Sequence, residues 1–392
     1  MKKKTKYILI GLLCLALTGG VLATILLASR EEAQTEEPAT QPVTTVPATT
    51  PATQPAPEPT EPEAKEEEFL LTFVGDCTLG SMPSWFGRKS SFVRTIGTDY
   101  DYPFANVRQY FEKDDLTMIN LESVLADSGK GADKRFVFRG PSDYIQMLTG
   151  ASVEAVTLAN NHTMDFGKQG YNNTLRFLND AGIAYVEESN TKLIATESGL
   201  IIGFYADYEE ITEDEILLHI NDLKKAGAEL IVCAFHWGVE GSYRANNDQK
   251  RIANTALEAG AHIVYGHHPH VLQKIEKREN GVIYYSLGNF SFGGNDRPRD
   301  KDSAIIQQKI IRQANGEILL GETNIIPVAI SSAKSWNNYQ PTPCEKESEQ
   351  YQRILSKLDG SFTGRNLTVF YAKKEKIGKT PTVAMPFSET VS

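Results

Sequence analysis

Histidine, acid and amide residues gather at a few places in this chain, each just past an apolar run. Asn160-Asn161-His162 follows one run, with Asp165 close behind. His236-Trp237-Gly238-Val239-Glu240 follows another, and Gly266-His267-His268-Pro269-His270 a third. Gly75-Asp76, Asn120-Leu121-Glu122 and Gly288-Asn289 end three more. Of seven histidines, only His219 lies away from these segments and runs; His262 opens one of the runs. Imidazole nitrogen with carboxylate and amide oxygen is a donor set for Zn, Mn or Fe, as one or two divalent ions. The cysteines, Cys14, Cys77, Cys233 and Cys344, have no short spacing, which argues against a structural zinc knot and against a disulfide framework.

Asp76, Glu122, Asn161, His236, His268 and His270 therefore read as metal ligands. Each has a plainer alternative: Asp76 capping a helix, Glu122 in a surface ion pair, Asn161 satisfying a turn. Residues i and i+2 of an extended segment share a side, so His268 and His270 are chosen ahead of His267. His162 reads as an acid–base group rather than a core histidine. Asn160, Asp165, Glu240, His267 and Asn289 are further active-site candidates, although Asn289, like Trp237 and Phe290, reads first as a packing or turn residue. His262 reads as structural. Nothing beside Cys77 marks it as a thiolate, so it reads as a buried thiol.

The runs that would carry these residues are short and rich in Val, Ile, Phe and Tyr. They are Phe69–Val74, Leu116–Leu121, Val153–Leu158, Leu200–Tyr205, Leu230–Phe235, His262–Tyr265 and Val282–Ser286. Their length and continuity predict buried strands. Helical periodicity predicts helices over Tyr171–Ala181, Glu213–Ala226 and Asn247–Ala259, stopped by Gly182, Gly227 and Gly260. A further amphipathic helix is predicted over Glu347–Leu358. Strand and helix alternate, so the fold class is α/β with a largely parallel sheet core, and ligands gather beyond the carboxyl ends of such strands.

The ends of the chain differ from its body. Four lysines (residues 1–6, a cytoplasmic basic stub) precede an apolar run, Tyr7–Ala28, long enough to span a bilayer as a signal-anchor helix. A cleaved signal peptide is the alternative and would leave the protein secreted. Residues 29–67 hold eight of the 18 prolines, with ten acidic residues and two basic between Arg30 and Glu68. This composition predicts a disordered linker. Residues 68–362 form the expected folded domain and 363–392 a tail of little pattern. The expected location is the cell membrane, single-pass, with the folded domain extracellular. The net charge of −10, with no block of Lys or Arg in the body, argues against a nucleic-acid partner.

The segments FVGDCTLG, NLES, LANNHTMDFG, HWGVEG, GAHIVYGHHPHVLQ and YSLGNFSF, in this order, resemble the CapA-type capsule-synthesis (poly-γ-glutamate) family. That family is similar in turn to the calcineurin-like metallophosphoesterases. The resemblance implies a two-sheet α/β sandwich and a two-metal site in which Asp76 stands as the first-strand metal aspartate and Glu122 where an aspartate bridges the metals. Asn161 and His236 match single metal ligands, His268 and His270 match the closing His-x-His pair, and His162 matches the acid or charge-stabilising histidine. Thr78 stands where that motif has a histidine, and Asn160 where it has a glycine, which leaves room for a one-metal site. The implied role is capsule or poly-γ-glutamate synthesis and export beside membrane-bound polymer synthase subunits, with an anionic polymer or phosphoester as substrate. A hydrolase unrelated to capsule and a non-catalytic, polymer-binding subunit are the alternatives.

Overall fold

The computed structural model describes residues 65–368. The expected basic stub and membrane anchor lie outside them, as do nearly all of the linker and most of the tail. Among the described residues no helix is long and apolar enough to cross a membrane.

The strands, in chain order, are β1 (Glu67–Thr78), β2 (Leu116–Leu121), the short β3 (Val124–Leu125) and β4 (Arg139–Gly140), β5 (Ala155–Thr157), β6 (Ala184–Val186), β7 (Asn190–Ala195) and β8 (Ile201–Tyr208). They continue with β9 (Leu230–His236), β10 (Ile263–His267), β11 (Ile275–Arg278), β12 (Gly281–Tyr284), β13 (Asn289–Phe292), β14 (Asp302–Arg312), β15 (Ile318–Ala329) and β16 (Thr342–Pro343). Four longer helices are α1 (Gly167–Asp180), α2 (Glu213–Lys225), α3 (Asn247–Ala259) and α4 (Glu349–Asp359).

These elements make a mixed α/β sandwich. One sheet runs β16-β15-β14-β1-β2-β5-β6, with β13 also beside β1. The other runs β11-β12-β10-β9-β8-β7. The two-residue alternation of strand side chains builds the layers. Phe69, Leu71, Phe73, Leu116 and Met118 from the first sheet share one core with Phe204, Val232, Ile263, Tyr265 and Tyr284 from the second. Ile119, Leu121 and Val156 point the other way, into a separate cluster. Ile231, Cys233 and Val264 meet α2 and α3 on the far face of the second sheet through Ile216, Ile220, Ile252 and Ala256.

All seven predicted strands are present, and α3 has the predicted bounds. Asn246 caps α3 with a capping box closed by Gln249, and Gly260 ends it in the left-handed region at φ 105°. The parallel core extends over β1-β2-β5-β6 and β8-β9-β10-β12. The first sheet departs from expectation: β14 and β15 form a long antiparallel hairpin against β1. The sequence hides it because β14 buries two glutamines, which break the apolar run. Gln308 and Tyr284 meet at 2.9 Å, and Gln307 donates to Tyr110 O at 3.1 Å.

The hairpin is clamped to α4 by buried charge. Lys357 Nζ lies 2.7 Å from Asp302 Oδ2 and 2.6 Å from Asp300 Oδ2, and Arg353 grips Asp302 with two bonds of 2.7 Å. Burial alone would raise the Asp302 carboxyl. The Arg353 bonds and the Lys357 charge outweigh it and hold that carboxyl below its ordinary value. Asp302 therefore adds stability at neutral pH that is lost as the pH falls below about 3.9. Lys357→Met removes one partner of each aspartate but leaves Arg353 on Asp302 and Tyr243 on Asp300, and is expected to cost about 1–3 kcal/mol in urea unfolding. In the same variant the loss of stability on acidification should be smaller than in the parent, because part of what holds the Asp302 carboxyl down is gone.

Candidate functional site

Two features of β1 place Asp76. The register with β2 shifts between Phe73 and Asp76, a local bulge. Gly75 allows β1 to press against the segment before β13, since a Cβ there would sit 2.1 Å from Gly288 O. The backbone N–H of Asp76 then bonds Gly288 O at 2.8 Å. Parallel pairing does the rest: Asp76 faces Asn120 on β2 and Asn289 on β13, and His236 faces His267 across β9 and β10. Glu122 follows β2 and Asn160–His162 follow β5, so all these groups stand at one end of both sheets.

The side chains of these residues come together. His236 Nε2 lies 2.9 Å from Asn161 Oδ1, 3.1 Å from His268 Nδ1 and 3.6 Å from Glu122 Oε1. His270 Nε2 lies 3.8 Å from the same Glu122 oxygen, and its Nδ1 lies 3.1 Å from Asp76 Oδ2. Donors around an ion with bonds of about 2.1 Å are spaced at about 3.0–3.4 Å. Among the described residues, two acid–histidine groups are close enough to hold a cation: Asp76, Glu122 and His270, and Glu240, His268 and His270.

The fit to a divalent ion rests on Glu122. It is fully buried, and neither carboxylate oxygen has a hydrogen-bond partner. An unpaired charge so placed costs several kcal/mol, whereas a cation between the histidines would satisfy it. Without one, Glu122 gives way: burial, aided by the Asp76 charge, raises its carboxyl well above the usual range despite His270. Asp76 and His270 remain an ion pair. Burial opposes the Asp76 charge, but bonds from His267 and His270 hold its carboxyl well below the ordinary value. Burial likewise opposes a charged His270, while Glu122 and Asp76 push it up. His236 and His268 are lowered by burial and by neighbouring histidines, which leaves them neutral and able to coordinate.

Around this cluster lies a supporting layer. Asn289 Oδ1 is 2.9 Å from His270 Nδ1, so Asn289 holds the His270 ring rather than merely closing a turn. His267 Nδ1 is 3.0 Å from Asp76 Oδ1. Asn160 donates to Asn120 Oδ1 at 2.9 Å and to Leu121 O at 3.0 Å. His162 Nδ1 lies 2.8 Å from Asp165 Oδ2. His268 and His270 both hold positive φ, 91° and 54°, a strain of about 1–3 kcal/mol each for side-chain-bearing residues. His262 is structural, as expected: its Nδ1 accepts from Ile231 N at 3.0 Å. Cys77 and Cys233 are buried free thiols.

Two contributors escaped the sequence reading. Asn120 donates to Asp76 Oδ1 at 2.9 Å and lies 3.4 Å from His236 Nδ1. Its position two residues before Glu122, on the same strand end, was the available signal. Lys134 pairs with Asp165 and donates to Asn161 O at 2.6 Å. It comes from a loop without pattern, and nothing in the sequence pointed to it. A cavity of about 340 Å³ opens on the Asn161, His236 and His268 side, lined also by Trp237, Glu209 and Asp248.

Residues 70–206 and 187–294 match the family described as bacterial capsule synthesis protein PGA_cap. The chain is 30% identical over 322 residues to the capsule biosynthesis protein CapA of Bacillus anthracis, covering 75% of this chain and 74% of that protein. It is 28% identical over 311 residues to the PGA biosynthesis protein CapA of Bacillus subtilis (strain 168), covering 73% and 77%. Among solved structures, the NAD nucleotidase of Haemophilus influenzae is similar at a TM-score of 0.38 and 12% identity, over 76% of this chain and 57% of that one.

The orphaned carboxylate gives a direct prediction. In EDTA, Glu122→Gln should be at least as stable as the parent, because a buried ionisable group is gone. Mn²⁺ at a hundred times its dissociation constant should stabilise the parent by about 2.7 kcal/mol and leave the variant unmoved. Paired thermal melts with and without Mn²⁺ read both effects.

Proposed function

The chain belongs to the PGA_cap family of bacterial capsule synthesis proteins, and on that premise we propose that it is a membrane-anchored, extracellular component of capsule or poly-γ-glutamate synthesis and export with a metallophosphoesterase-like hydrolytic site. One observation carries the proposal: Asp76, Glu122, Asn161, His236, His268 and His270 meet at coordination spacing around a buried carboxylate that has no other partner. The anchor rests on the apolar run Tyr7–Ala28, and the extracellular placement on the lysines before it.

A divalent ion of Mn, Fe or Zn bound here would supply Lewis-acid polarisation and a water of lowered pKa. The remaining work belongs to side chains of this chain. Asp165 accepts from His162 Nδ1–H, which fixes the ring and its tautomer and leaves Nε2 to deliver or take a proton at the substrate oxygen or nitrogen. Lys134 and the backbone N–H of Phe138, which donates at 2.6 Å, hold Asp165 in turn. Phe138, 4.5 Å from His162 between ring centroids, shields that proton path from bulk water. Asn289 and His267 keep His270 and Asp76 in register. The substrate in this reading is an anionic polymer or a phosphoester of its synthesis, and the partners are membrane-bound synthase subunits.

A second reading, a non-catalytic accessory subunit, is favoured by Thr78. Its buried hydroxyl, without a hydrogen-bond partner, stands where the metallophosphoesterase motif has a histidine ligand. The two readings separate by experiment. Metal analysis of the full-length chain should find stoichiometric Mn, Fe or Zn, lost in Asp76→Ala/His270→Ala. A polymer-producing strain carrying His162→Ala at normal protein level should lose polymer. No metal after reconstitution with each ion would sink the hydrolytic reading, and full polymer output from the His162 variant would favour the accessory role.

A further inference from the structure

The surface beside His162 has a charge unlike the rest of this acidic chain. From Ser81 to Thr98 the chain carries Arg88, Lys89 and Arg94 and no acidic residue. From Ser128 to Gly140 it carries Lys130, Lys134, Arg135 and Arg139 against Asp133 alone. Asp127 flanks the second stretch and acts on Arg139, and Lys134 is already paired with Asp165. Neither stretch is a block of like charge in sequence, but the fold joins them. Arg139 N donates to Ser81 O at 3.1 Å, and its guanidinium lies 5.5 Å over Phe86 and 5.1 Å over Phe166. Arg88 lies 4.6 Å over Trp85, and Arg135 lies 4.9 Å over Phe136. The aromatic row then runs inward: Phe136, 41% exposed, is 6.3 Å from Phe138, which is 4.5 Å from His162. Arg88, Lys89, Lys130 and Arg135 are exposed.

We propose that this basic, aromatic surface is the track along which an extended carboxylate polymer reaches His162. The exposed Arg88 guanidinium, resting on the Trp85 face, presents its edge N–H groups to a carboxylate. A single small anion needs one enclosed pocket. Several separate exposed cations on two chain segments instead match a ligand that repeats its charge along its length. Local positive charge on a chain of net −10 also steers a polyanion to this face rather than elsewhere. Choosing carboxylate over phosphate rests on the capsule-polymer reading of the site; the track itself rests on the charge and ring geometry.

The test uses the full-length chain in detergent and a fluorescent poly-γ-glutamate oligomer, read by anisotropy across a salt series. Arg88→Glu/Lys89→Glu/Lys130→Glu leaves every proposed metal ligand in place. It should weaken binding about tenfold or more and flatten the salt dependence. The neutral form, Arg88→Gln/Lys89→Gln/Lys130→Gln, should fall between variant and parent. Stabilisation by Mn²⁺ should be the same in all three proteins, which separates this inference from the metal-site reading. Equal affinity in parent and charge-reversed variant would overturn the track. Polyphosphate or a single-stranded oligonucleotide bound by the parent as tightly as polyglutamate would overturn the choice of carboxylate polymer. Track-dependent binding in a protein that takes up no metal would uphold the track and sink only the hydrolytic reading.

Discussion

The buried carboxylate of Glu122 is the constraint around which this molecule is organised. It has no hydrogen bond of its own, and two imidazole Nε2 atoms stand 3.6 and 3.8 Å away. A protein interior tolerates such a group only if something else takes up its charge. The ends of two sheets meet here, so the price is concentrated at one point where a cation would relieve it. Asp76, His270, His236 and His268 are arranged about that point, and the sandwich core behind it supplies the rigidity that keeps donors about 3 Å apart.

The strain in the GHHPH segment belongs to the same arrangement. A loop free to relax would not keep His268 and His270 at positive φ. It is held because Gly241 N bonds Pro269 O at 2.8 Å, and because Asn289 meets both the ring and the backbone carbonyl of His270. The HWGVEG and GHHPH loops are thus tied together before any ligand arrives, and the site is largely preformed. On the opposite flank, Lys134 links a loop distant in sequence to both Asn161 and Asp165. The histidine–carboxylate cluster and the His162–Asp165 pair therefore share one hydrogen-bonded frame.

Much of this was legible in the residues. Strand-end placement of Asp76, Glu122, Asn161 and His236 follows from apolar runs that stop where polar residues begin, and parallel pairing brings such ends together. Helix α3 was readable to the residue because its cap, capping box and stop glycine are all local signals. The β14–β15 hairpin was not, because Gln307 and Gln308 face inward and their bonding partners come from other elements. Asn120 was overlooked although it lies two residues from Glu122, because an amide in a strand has many uses and its neighbours were unknown.

Local pattern was enough to establish which residue types stand at which strand ends, the α/β alternation, and a family resemblance that the comparisons bear out. These are local or periodic properties, written within a few residues of one another. Tertiary structure alone decided three things. It left Glu122 without a hydrogen bond, it seated Lys134 on Asp165, and it laid Arg139 between Phe86 and Phe166, joining two stretches distant in sequence. Each depends on groups far apart in the chain, and whether such a group is paired, buried or clustered is a property of the space around it rather than of its neighbours in sequence.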